Sequence, residues 1–325
     1  MKLWAASLLA GLALVSERSV ASELDIYAHP QRLISLPDGR RMNLYCTGNR
    51  GPVVILDAGL GGSTLSWGKV QPKLASSFRV CAYDRAGMGF SDPGPLPRDT
   101  QHMANDLAAL LTAAKLSPPY ILVGHSLGGM SVRLFAAQHR QMVSGLVLVD
   151  PSVEHQDARF SAAIGTRSSD GNANRKACLA AAIVGLQPGT PEFLRCVGKP
   201  RPSWSAAFWR AISKMKASSS YHRTEVSEYE NMAGANSSQL GAWNGKLTDI
   251  PMIVLTAENT YRSGVPREYV DTLSALWNEM HNEIARLSRR GMNRLVRGSG
   301  HLIPSDNPVA VVAAVRDIAV MARAP

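Results

Sequence analysis

The chain has 325 residues, 45% apolar and 18% charged, which is the balance of a globular protein with room for a large core. Its 35 Lys and Arg against 25 Asp and Glu give a net charge of +10. The basic residues look scattered and no nucleic-acid-reading motif accompanies them, so nucleic acid is not the expected partner; a mild preference for anionic surfaces or substrates stays open.

Taken in order, residues 1–21 read as an export signal: Lys2, an apolar run from Leu3 to Val15, and Ser19-Val20-Ala21 as a small-x-small cleavage site. Thirteen apolar residues are too few to cross a bilayer core of ~30 Å, so stable membrane insertion is not expected. Removal of the signal leaves +9 and sends the protein to the periplasm or outside the cell.

Short apolar runs then alternate with helical patterns, which predicts an α/β fold with a largely parallel sheet. The expected strands are Arg32–Leu36, Asn43–Cys46, Val53–Leu56, Arg79–Tyr83, Tyr120–Val123, Leu146–Val149, Met252–Leu255 and Arg294–Arg297. Helical spacing runs over Thr100–Ala114, Gly129–Gln138, Pro266–Leu287 and Pro308–Arg323, with Gly291 closing the third. The rhythm breaks between Ser152 and Asp249, a block rich in Ser, Gly and Asn that holds Trp204, Trp209 and Trp243. It reads as a helical cap (152–249) inserted between two parts of the core, 22–151 and 250–325, with aromatics that mostly pack on each other.

Cys46, Cys81, Cys178 and Cys196 suit two disulfides in an oxidising compartment and match no zinc spacing. Cys178–Cys196 is the preferred pair; Cys46 and Cys81 are either bridged or buried as thiols. Neither a metal nor a cofactor is expected.

The chemistry centres on Gly124-His125-Ser126-Leu127-Gly128-Gly129, which lies between a strand and a helix. In that context the pentapeptide is a nucleophile elbow: a strained turn lifts the Ser126 hydroxyl off the sheet, and glycines let strand and helix approach. Serine needs a base, and His301, in Gly298-Ser299-Gly300-His301 after the last strand, is the candidate. The imidazole needs a carboxylate, either Asp150 after one strand or Glu258 after the next, and both give the order serine, acid, histidine. The oxyanion donors expected are the amides of Leu127 and of Leu60, the latter in Asp57-Ala58-Gly59-Leu60-Gly61-Gly62. A phosphate-binding reading of this Gly-rich turn fails, because the spacing to Lys69 is wrong and no Ser or Thr follows it. Asp84 and Arg85 are expected to brace their loop, His125 to pack, and His155 to sit in a loop near the cap entrance.

These blocks, with Tyr83-Asp84-Arg85-Ala86-Gly87-Met88-Gly89-Phe90-Ser91 and Leu146-Val147-Leu148-Val149-Asp150-Pro151, resemble the α/β-hydrolase fold superfamily. The resemblance implies a mostly parallel eight-stranded sheet flanked by helices, a cap after the sixth strand, and a cofactor-free Ser-His-acid mechanism. Two positions depart from the usual pattern. Ala58-Gly59 stands where many members have His-Gly, and Thr260 stands where the acid is usually an aspartate. Some relatives carry the acid after the sixth strand, and Asp150, 24 residues beyond Ser126, matches that placement, which favours it over Glu258. A serine rather than an aspartate at the elbow implies an acyl-enzyme and hence a carboxylic ester, thioester, lactone or amide, of which the resemblance favours a small-molecule carboxylic ester as substrate. Lactone or carbon–carbon bond hydrolysis by the same triad, and a non-catalytic ligand binder, are the alternatives. Oligomeric state is not readable.

Overall fold

Eight strands form one sheet: β1 (Leu33–Ser35), β2 (Arg41–Thr47), β3 (Val53–Asp57), β4 (Arg79–Tyr83), β5 (Tyr120–His125), β6 (Val143–Val149), β7 (Met252–Ala257) and β8 (Gly291–Val296). This computed structural model describes residues 24–165, 172–261 and 265–323; the expected export signal lies outside the described residues. The strand order is β1-β2-β4-β3-β5-β6-β7-β8. β2 is antiparallel to β1 and β4, and every other pair is parallel.

The central strands are apolar on both faces because helices cover both faces. Successive residues of β3 and β5 face opposite cores. Val54, Leu56, Ile121 and Val123 pack with Trp67, Val315 and Ile318 on one side. Ile55 and Leu122 pack with Leu107 and Leu134 on the other. The main helices, in chain order, are α1 (Thr100–Ala113), α2 (Leu127–Gln138), α3 (Gln156–Ile164), α4 (Ala173–Val184), α5 (Pro191–Cys196), α6 (Ala206–Lys216), α7 (Ser219–Ala233), α8 (Ala235–Gly241), α9 (Val270–Ala285) and α10 (Pro308–Met321). Helices α3 to α8 all fall between β6 and β7.

Two local expectations need correcting. The helix expected from Pro266 begins as a short 3-10 turn, Arg267–Tyr269, and becomes α-helical only at Val270. Gly291 opens β8 rather than ending the helix, since β8 pairs with β7 from Met252↔Gly291 to Ala257↔Val296.

Both disulfides are formed, Cys46–Cys81 between directly opposed residues of β2 and β4, and Cys178–Cys196 between α4 and α5. Two such bonds suit an oxidising, exported setting. Trp204 and Trp209 stack with ring centroids 5.9 Å apart within the 152–249 block, while Trp243 packs against the main core. No helix among the described residues is long and apolar enough to cross a membrane.

Candidate active site

β5 ends at His125, α2 starts at Leu127, and Ser126 between them is held at φ 52° and ψ −121°. A non-glycine residue with positive φ is strained, and the surroundings hold it there. The Ser126 amide donates to the Val149 carbonyl (3.0 Å), and its own carbonyl accepts from Gly129 (2.9 Å) and Ser152 (3.0 Å). The elbow is thereby tied to the end of β6. A Cβ on Gly128 would stand 2.5 Å from the carbonyl oxygens of Asp57 and Ala58, so the start of α2 rests directly on the loop after β3.

Asp150 follows β6, also with positive φ (41°), and its side chain is fully buried. One carboxylate oxygen accepts from the Ala257 amide and Trp277 Nε1, each at 2.9 Å. The other accepts from Thr260 Oγ1 and lies against His301 Nδ1, each at 2.7 Å. Burial pushes the carboxyl up, but the His301 hydrogen bond, nearby imidazoles and the remaining donors outweigh it and hold Asp150 below the usual aspartate range. An ionised carboxylate only accepts, so Nδ1 of His301 carries hydrogen and Nε2 is left as the basic nitrogen.

Glu258, after β7, is exposed; it accepts from the Gly298 amide (2.8 Å) and braces the turn before His301. Thr260, at the position where the resemblance would put an acid, instead supplies a donor to Asp150.

His125 does more than pack. Its Nε2 donates to the His301 carbonyl (2.8 Å), and the two rings lie 4.8 Å apart. Burial, then the neighbouring His301, push its pKa down to about 4, so it stays neutral. Behind Asp150, His281 bonds Thr256 Oγ1 (2.7 Å) and the Pro151 carbonyl (2.9 Å); burial pushes it too down to about 4. No spacing in the sequence marks His281 or Trp277, and Thr260 is marked only as a missing acid, because each comes near Asp150 only through the packing of α9 and the β7 loop. His155 is exposed at the start of α3, and its neighbour Gln156 reaches the cavity instead.

Arg85 and Asp84 brace loops as expected. Asp84 accepts from Thr64, Asn43 and Phe90 at 2.7–3.0 Å. Arg85 donates to Asp57 (2.8 Å), to the Ala58 carbonyl and to the Gly59 carbonyl (2.8 Å). In a trans peptide the C=O and N–H point opposite ways, so drawing the Gly59 oxygen to Arg85 turns the Leu60 N–H away from it. Leu60, Ser126, Ser152 and His301 line one cavity of about 400 Å³ with Arg175, Tyr229, Met232, Tyr261 and Trp277. The Leu127 N–H, at the first turn of α2, has no intrahelical acceptor. Ser126 Oγ lies 3.5 Å from Ser152 Oγ, and this contact, not one to the His301 ring, is the one the hydroxyl makes. No group of three or more His, Cys, Asp or Glu among the described residues is placed to hold a metal ion.

Residues 51–260 match the family model described as alpha/beta hydrolase fold. An AB hydrolase superfamily protein of Gibberella zeae is 26% identical over 300 residues, covering 84% of this chain and 87% of that protein. Other curated relatives match over shorter stretches: this chain spans 42% and 16% of the length of two of them. Among solved structures, a thermophilic esterase from Thermogutta terrifontis is similar at TM-score 0.59 and 20% identity, over 90% of this chain and 99% of that one. An enol-lactonase from Burkholderia xenovorans is similar at TM-score 0.60 and 17% identity, over 89% of this chain and 100% of that one. With an eight-stranded sheet of this order and a family match over most of the core, the chain belongs to the alpha/beta hydrolase fold family.

Proposed function

We propose that the protein is an exported serine hydrolase that cleaves small to medium carboxylic esters through Ser126, His301 and Asp150. The observation that carries this reading is the 2.7 Å contact of His301 with a buried, four-fold hydrogen-bonded Asp150, on the wall of the cavity that also exposes the strained Ser126. Substrate entry turns the Ser126 hydroxyl from Ser152 toward Nε2 of His301; such bonds are often long in empty sites and tighten once substrate is bound. His301 takes the hydroxyl proton as Oγ attacks the ester carbonyl, and Asp150 stabilises the imidazolium. The amides of Leu60 and Leu127 receive the oxyanion, a contribution of the kind worth ~10²–10³ in rate. His301 then protonates the leaving alcohol, and water releases the acid by the same steps. The chain's own groups suffice, with no cofactor. Residues 1–21 are read as the segment that directs export, which fits the two disulfides.

The test is labelling by a fluorophosphonate together with turnover of a short-chain p-nitrophenyl ester. Ser126→Ala is expected to lose labelling and at least ~10³ in kcat/KM with thermal stability unchanged. An intact protein that neither labels nor turns over would favour a ligand-binding role on the same fold.

A further inference from the structure

Residues 173–218 hold eight Lys or Arg and a single acid, Glu192, so this stretch carries seven of the chain's ten net positive charges. This local excess, diluted in the chain as a whole, lies on α4, α5, α6 and their connections. Two of them are drawn into ion pairs, Arg175 with Glu225 and Lys176 with Glu230. Arg195, Lys199, Arg201, Arg210 and Lys214 are exposed. The same surface is apolar at its tip: Val184 is 90% exposed, Ile183 61% and Leu194 51%. A groove of about 420 Å³ combines both characters, with Phe193, Leu194 and Trp209 beside Lys199 and Arg210. Cys178–Cys196 fastens α4 to α5, so the apolar tip is presented on a cross-linked base.

We propose that this tip docks the protein peripherally on an anionic lipid bilayer. Apolar side chains exposed to this degree gain by entering an acyl boundary, and each flanking cation is attracted to an anionic leaflet. Nucleic acid would satisfy the cations and leave Val184 and Leu194 in water. A second copy of the chain would cover the apolar residues but bring two strongly positive surfaces together. An anionic membrane answers both features. Helix α4 connects this surface to the proposed catalytic cavity: Arg175 near its start lines the cavity, and Val184 lies nine residues on, about 14 Å along the axis. Docking itself needs no catalysis, so its failure would leave the hydrolase reading untouched.

The experiment is co-sedimentation of the mature protein with vesicles of phosphatidylcholine alone and of phosphatidylcholine with about 30% phosphatidylglycerol, at low and high salt. Binding at least tenfold stronger to the anionic vesicles at low salt is expected. Lys199→Glu with Arg210→Glu, and separately Val184→Asp with Leu194→Asp, should each weaken it about tenfold at unchanged thermal stability. Arg50→Glu with Lys115→Glu makes the same charge change on exposed residues before the amino ends of the central strands β3 and β5 and should retain most of the binding. Equal binding to neutral vesicles, no binding to either, an equal loss in the Arg50/Lys115 control, or a dimer by light scattering that the Val184/Leu194 variant abolishes would each overturn the proposal.

Discussion

Arg85 and Glu228 form a doubly bonded ion pair (2.8 and 3.0 Å) inside the protein, and through it α7 of the 152–249 block grips the loop that presents Leu60. Arg85 is the shared part: its Nη1 holds Asp57 and the Ala58 carbonyl, and Nη2, besides bonding Glu228, holds the Gly59 carbonyl. Tyr221 of the same helix bonds the Gly61 carbonyl (3.1 Å), so the grip is made at two places. Glu228→Gln keeps an acceptor for Arg85 but removes the charge that balances it. Expected are a loss of about 2 kcal/mol in stability and roughly tenfold in kcat with KM little changed. Denaturant unfolding and ester kinetics check this; a wild-type kcat would show that the Leu60 amide holds its direction without the pair.

The two carboxylates weighed as the triad acid have separate surroundings, and their variants should separate as well. Asp150→Asn, which disturbs the His301 tautomer, is expected to lower kcat by up to ~10⁴. Glu258→Gln keeps an acceptor for the Gly298 amide, removes only an exposed charge, and should stay within a few-fold of wild type. Thr260→Val removes one donor to Asp150 and is expected to fall between them. Collapse of activity in Glu258→Gln alone would reverse the assignment.

Glycine substitution at the elbow distinguishes packing from chemistry. Gly128→Ala drives a methyl into two backbone oxygens at 2.5 Å that cannot yield, and a stability loss of about 3 kcal/mol or more is expected. Gly59→Ala meets the His125 ring at 3.0 Å and Ser126 Cβ at 3.2 Å, where small shifts suffice. It should cost under about 1 kcal/mol in stability but roughly tenfold in kcat, since the His125 ring also supports the His301 backbone. Comparable melting temperatures for the two variants would contradict this.

Stability should fall on mild acidification. His125 and His281 are held neutral down to about 4, whereas in the unfolded chain they take up a proton near 6.5. Between those values the unfolded state binds more protons, so each histidine costs stability as pH drops, about 3 kcal/mol by pH 4. Asp150 and Glu154, the latter raised by burial but brought down to about 2 by its ion pair with Arg133 (2.8 Å), act in a different window: their contribution is present above the ordinary carboxylate value and lost only below about pH 4.5. Urea midpoints measured from pH 7 to 4 should decline, and His281→Gln should decline less steeply. A flat profile in wild type would contradict the neutral-imidazole assignment.

Much of the fold is legible along the chain because its causes are local. The apolar runs of β3, β5, β6 and β7 and the Gly-x-Ser-x-Gly turn announce strand, elbow and helix by their own spacing. The starts of β8 and of α9 are less so, because pairing with β7 and a preceding 3-10 turn set them.

Residue order alone determined that Ser126 stands at a strand-to-helix turn and that His301 follows the last strand, since backbone sterics and apolar periodicity act over a few residues. Only the tertiary structure decided that Asp150 rather than Glu258 meets His301, that Thr260 and Trp277 serve Asp150, and that His125 holds the His301 loop. Those choices depend on hydrogen bonds between segments more than a hundred residues apart, with directions set by how α9 and the β7 and β8 loops pack over the sheet edge.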